Sequence, residues 1–102
     1  MFVDEFPVFD TDGHRLAVLD LADPDLMVAV ECQSWEHHGS PRAQQRDLVR
    51  KRRLRQIGWD VVEVWYSDLD RVDEVAADVR ISIERARARI AAAKIVSRSG
   101  PV

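Results

Sequence analysis

The order in which two hydrophobic periods follow one another limits what this chain can fold into. Residues 27–33, Met-Val-Ala-Val-Glu-Cys-Gln, form a short apolar run that ends in polar side chains. Residues 59–66, Trp-Asp-Val-Val-Glu-Val-Trp-Tyr, are β-branched and aromatic. Both read as strands. Between them, from Ser40 to Ile57, apolar residues recur at helical spacing, with Pro41 at the first helical position and Gly58 as the stop. A strand, a helix and a strand in that order make a right-handed parallel crossover.

The remaining elements extend that unit. Residues 2–10 alternate loosely and meet Asp12-Gly13, a strong hairpin signal, with His14 read as a surface turn residue. A second strand spans 15–21, and Ala22-Asp23-Pro24-Asp25 supplies a turn. After Ser67-Asp68-Leu69-Asp70, a long helix is expected over 70–95, with Val72, Ala76, Val79, Ile83, Ala86, Ile90 and Ala93 in heptad spacing. The helix is longer than a four-stranded sheet needs, so its far end, with Arg85, Arg87 and Arg89, is expected to pack on a second copy or on a missing neighbour. The expected fold class is therefore α/β (α+β mixed), ordered β-β-β-α-β-α, with a four-stranded mixed sheet flanked by helices. A single domain covers 1–95, and 96–102 form a flexible tail.

At 102 residues and 11.7 kDa, the chain has room for one modest core. The single cysteine, Cys32, cannot close an internal disulfide, which points to a cytoplasmic setting. No signal peptide or membrane-spanning run is present in the sequence. The net charge of −3 conceals sorting: nine acids against one base over 1–36, then seven bases against one acid over 42–55. A basic helix beside an acidic pocket suits a polyanion held next to a cation.

The chemistry concentrates at the end of the 27–33 strand. Period two puts Met27, Ala29, Glu31 and Gln33 on one face and Val28, Val30 and Cys32 on the other, with Cys32 a packed thiol. A carboxylate ending an apolar strand is costly to bury unless a cation or donors meet it. Glu31 therefore either pairs with an arginine or has a chemical role. If the second hairpin folds about Asp25-Leu26, Asp20 falls opposite Glu31, and two carboxylates so placed repel unless a proton or metal lies between them. On the first helix, Ala43, Asp47, Arg50, Leu54 and Ile57 share the inward face, flanked by Arg46 and Arg53. Arg42, Lys51, Arg52 and Arg55 are expected to meet solvent or phosphate. P-loop, GxGxxG and CxxC patterns are absent from the sequence.

Two ordered blocks carry a family resemblance. The first is Val18-Leu19-Asp20-Leu21-Ala22 with Val28-Ala29-Val30-Glu31-Cys32-Gln33-Ser34-Trp35-Glu36-His37-His38. The second is Arg46-Asp47, Leu54, Gly58-Trp59-Asp60-Val61 and Val64-Trp65. Together the blocks resemble the PD-(D/E)xK nuclease superfamily, in particular the very-short-patch-repair-like (Vsr-like) endonucleases and the domain-of-unknown-function-559 proteins. The resemblance implies a restriction-endonuclease-like fold and a Mg²⁺-dependent DNA endonuclease, acting in DNA repair or defence, with Mn²⁺ as a substitute ion. It implies Asp20 and Glu31 as metal ligands, and His37 or His38 as general base or phosphate contact. Arg42, Arg46, Arg50, Lys51 and Arg53 would hold the DNA backbone. Gln33 occupies the position where the superfamily has lysine, so a second reading is a catalytically inactive nuclease-like module for DNA binding or dimerisation. The helix that the family places before the first strand is lacking, which is read either as a trimmed version of the fold or as a fragment of a longer product, with a preceding segment or a partner domain to supply it.

Overall fold

A computed structural model describes residues 1–33, 39–68 and 70–98. Its elements are β1 (Val3–Phe9), β2 (Arg15–Asp23), β3 (Val28–Gln33), α1 (Pro41–Gln56), β4 (Asp60–Trp65) and α2 (Val72–Arg98). The four strands form one sheet in the order β1-β2-β3-β4. The first two pairings are antiparallel, and β3 with β4 is parallel, joined through α1. This is the expected mixed sheet with two helices.

Local chemistry sets each connection. In the first hairpin Gly13 adopts a φ of +83°, and the Asp10 carboxylate accepts from the Asp12 and His14 amides, each at 2.9 Å. In the second, Asp23 Oδ1 accepts from the amides of Asp25 and Leu26 at 3.0 and 3.2 Å. That turn sets the pairing Leu21↔Val30, Ala22↔Ala29 and Asp23↔Val28, and beyond the last pair the Cys32 amide donates to Asp20 Oδ2. α1 begins where the Ser40 hydroxyl accepts from the Ala43 amide at 3.1 Å, with Pro41 behind it. It ends at Gly58, whose φ of +105° an L side chain rarely adopts.

α1 covers one sheet face. Its Leu54 is fully buried among Val8, Ala17, Leu19, Ala22, Ala29 and Trp59, and the Phe6 ring packs on Trp59 with centroids 5.9 Å apart. α2 lies on the other face, against β3 and β4. Ser82, fully buried, donates to Asp60 Oδ2 at 3.0 Å and ties the middle of α2 to the first residue of β4.

One departure from strict alternation matters for the site. Leu19 and Ala22 both enter the α1-side core, whereas Leu21 lines a groove against α2. The face changes at Asp20, where the β1–β2 pairing skips Asp20 and Glu5, and Glu5 has a φ of +48°. Asp20 is thereby turned towards the end of β3 rather than into the core.

Several expectations need correction. Cys32 is exposed, not packed, because α2 covers β3 nearer its start. Ile57 lies at the helix end beyond the sheet and is exposed. The Arg85 guanidinium has a partner within the chain, donating to Asp60 Oδ2 at 3.0 Å. Helix α2 continues to Arg98, past the expected end at 95, and 99–102 lie outside the described residues. Among the described residues no helix is long and apolar enough to cross a membrane.

Gly58 gives a direct test of the α1–β4 turn. A Cβ there would lie 3.3 Å from Met27 Cε while forcing an L residue to φ +105°. Gly58→Ala is expected to lower unfolding free energy by about 1–2 kcal/mol in urea titrations. Gly39→Ala, where a Cβ meets nothing within 4 Å, should leave the midpoint near wild type.

Candidate functional site

The burial of Glu31, 6% exposed at the end of β3, is answered from α1. The Arg50 guanidinium donates from Nη1 to Glu31 Oε1 at 3.0 Å and from Nη2 to Asp47 Oδ1 at 3.0 Å. Lys51 Nζ lies 2.8 Å from Asp47 Oδ2 and 2.7 Å from Glu63 Oε1. Glu63 is the direct neighbour of Glu31 across the parallel β3–β4 pair. The result is one charged chain, Glu31–Arg50–Asp47–Lys51–Glu63, that pins α1 to the ends of two strands. Asp47 is its hub, with one oxygen for each cation.

Asp20 joins this group from β2. Its Oδ2 accepts from the Cys32 amide at 2.8 Å, which holds the carboxylate beside the strand end. Burial pushes the Glu31 acid above its ordinary range; Arg50 opposes this, and the nearby charges of Asp20 and Asp47 add to it. Asp47 is also partly desolvated, but its bonds to Lys51 and Arg50 win and hold it below the ordinary range. Arg50 and Lys51 are correspondingly held above theirs by these carboxylates, against the effect of burial. Four carboxylates against two cations leave the cluster negative.

Among the described residues no donor reaches the second oxygen of either Asp20 or Glu31. Mg²⁺ takes hard oxygen ligands, commonly one or two carboxylates with water completing the shell. The two acids fit such an ion by donor type, by their mutual repulsion and by the cluster's excess negative charge. Gln33 is buried two residues further along β3, on the Glu31 face. His37 and His38 lie outside the described residues.

The five basic residues expected to meet DNA separate into two groups. Arg42, Arg46 and Arg53 are exposed and, with Gln45 and Val49, line a depression of about 340 Å³ on the outer side of α1. Arg50 and Lys51 turn inward. The expectation that Lys51 meets solvent is corrected: its side chain is 12% exposed, because its stem reaches over the helix edge to Glu63. Glu63 escaped the sequence reading altogether. The available signal was its place: Glu31 and Glu63 each stand fourth in their strands, after three residues of the sheet. Asp10, Asp12 and His14 also gather within 4.8 Å, in a turn whose bonds they supply.

These shifts fix opposite pH responses. Asp47, depressed below 3.8, stabilises the fold above that pH, and the contribution is lost as pH falls through its folded value. Asp47→Asn should cost about 2 kcal/mol at neutral pH, because two half-buried cations lose their shared acceptor, and the penalty should shrink in acid. Glu31 is raised above 4.5, so the native state binds the extra proton and stability falls as pH rises through that interval. Urea titrations across pH should show Glu31→Gln gaining on wild type as pH rises there, and Asp47→Asn losing ground as pH rises from acid.

No family model matches the chain, and no solved structure matches it significantly. Two curated proteins of Mycobacterium tuberculosis are each 32% identical to it over 84 residues: Uncharacterized protein MT2308 of strain CDC 1551 / Oshkosh and Uncharacterized protein Rv2248 of strain ATCC 25618 / H37Rv. The match covers 81% of this chain and 31% of each relative, so the chain spans about a third of the length of the curated proteins it matches.

Proposed function

We propose that this domain is a Mg²⁺-dependent DNA endonuclease of the PD-(D/E)xK, restriction-endonuclease-like type. The observation that carries this reading is the meeting of Asp20 and Glu31 where β2 leaves β3, inside a cluster with excess negative charge. A bound Mg²⁺ would polarise a phosphoryl oxygen and acidify a water. Asp20 and Glu31 would hold it. The Cys32 amide orients the Asp20 carboxylate, and Arg50 fixes one oxygen of Glu31, so both ligands are held before an ion arrives. In this reading His37 or His38 accepts the proton of the attacking water. Arg42, Arg46 and Arg53 meet phosphates along the outer side of α1.

A second reading has its own support. Arg50 already supplies a positive charge to Glu31, and Gln33 brings none to that face. A domain so arranged binds DNA without cutting it.

Incubating supercoiled plasmid with Mg²⁺ or Mn²⁺ separates the two. Nicking by wild type that falls by at least about 100-fold in Asp20→Ala is expected, more than loss of a supporting contact usually costs. Equal nicking by both proteins sinks the metal assignment. Binding without nicking, weakening steeply as salt rises, selects the second reading.

A further inference from the structure

The two faces of the sheet are covered unequally. A four-stranded sheet is about 19 Å wide at roughly 4.8 Å between strands. A helix with its side chains is about 10 Å across. α2 lies on β3 and β4, which leaves space for one more helix over β1 and β2. Beside α2 lies a groove of about 480 Å³, walled by Phe2, Leu21 of β2, Val30 of β3, and Val79 and Ile83 of α2, with Arg80 as its one charged wall. Leu21 on its floor is 41% exposed.

The same chain carries a helix segment that is exposed throughout. α2 has 27 residues, about 40 Å at 1.5 Å each, whereas the six-residue strands beneath it span about 20 Å. From Ala91 to Val96 every residue is exposed, with Ile95 at 64% and Val96 at 70%. The segment is apolar on most of its circumference: Ala91, Ala92, Ala93, Ile95 and Val96, with Lys94 alone charged.

Charge decides what the groove and the segment belong to. Over 70–84, the first half of α2 and its approach carry five acids (Asp70, Asp73, Glu74, Asp78 and Glu84) against Arg71 and Arg80. The second half carries Arg87, Arg89 and Lys94, all exposed, and no acid after Glu84. Laying two α2 helices antiparallel brings the basic half of each onto the acidic half of the other. It also opposes their dipoles favourably.

We infer that the occupant of the groove is the 87–96 segment of α2 from a second copy of this chain, docked reciprocally. In such a two-fold pair each copy contributes one groove and one overhanging helix end, so both exposed apolar surfaces are covered by a single operation. The inference does not depend on whether the domain cuts DNA.

Sedimentation equilibrium from low-micromolar to hundred-micromolar chain tests it. Wild type is expected to dimerise, and more weakly as salt rises. Leu21→Arg in the groove and Ile95→Asp on the overhang should each sediment as a monomer, with circular dichroism and melting like wild type. Mixing the two variants should restore a dimer, because one groove and one overhang in the mixed pair remain intact and the other contact sets Arg against Asp. A monomeric wild type overturns the inference. So does a dimer that either substitution leaves undisturbed, or a mixture that stays monomeric.

Discussion

Asp47 is the point on which the arrangement of this domain turns. A carboxylate on the buried side of α1 accepts from Arg50 at one oxygen and from Lys51 at the other. Each cation then reaches one strand, Arg50 to Glu31 on β3 and Lys51 to Glu63 on β4. Leu54 alone would hold α1 against the sheet but would tolerate rotation about the helix axis, since apolar contact is non-directional. Charged hydrogen bonds at fixed atoms on two neighbouring strands do not. The cost of desolvating these groups makes the cluster a weak source of net stability and a strong source of a single orientation.

That orientation is what makes Glu31 tolerable and, in the same step, leaves it incomplete. Arg50 serves Oε1, and Asp20 arrives from the opposite side with its own charge. Asp20 is there because β2 does not alternate strictly. The skipped rung at Glu5 and Asp20 lets Leu19 and Ala22 share the core while the residue between them and the groove turns to the β3 amide. Strict alternation would have placed Leu19 and Ala22 on opposite faces of the sheet.

Much of this was legible from residue order, for identifiable reasons. The Asp23–Asp25 turn sets the register of β2 on β3, which brings Asp20 alongside the end of that ladder, at the Cys32 amide. Ser40, Pro41 and Gly58 bound α1 by local backbone chemistry, which operates wherever the chain lies. Lys51 was misplaced because a helical wheel locates the Cβ, whereas a lysine stem carries its ammonium several ångströms round the helix to an acid on a neighbouring element. Glu63 was invisible for the complementary reason: nothing local to β4 states which helix residue will lie above it. Cys32 and Ile57 failed by the same rule, since alternation and periodicity give a face but not whether anything covers it.

The two sides of α1 also explain how a chain of net charge −3 can offer a basic surface. Of its bases, Arg50 and Lys51 are consumed by carboxylates on the sheet side, so they add nothing to the field outside. Arg42, Arg46 and Arg53 are exposed, on the flank of α1 beside the inward stripe. None of these three arginines is in a salt bridge among the described residues, so their charges face solvent, screened over about 8–10 Å at physiological salt. A helix that reads as a uniform run of bases is thus two surfaces: Arg50 and Lys51 are paired with carboxylates on the sheet side, and Arg42, Arg46 and Arg53 are exposed on another.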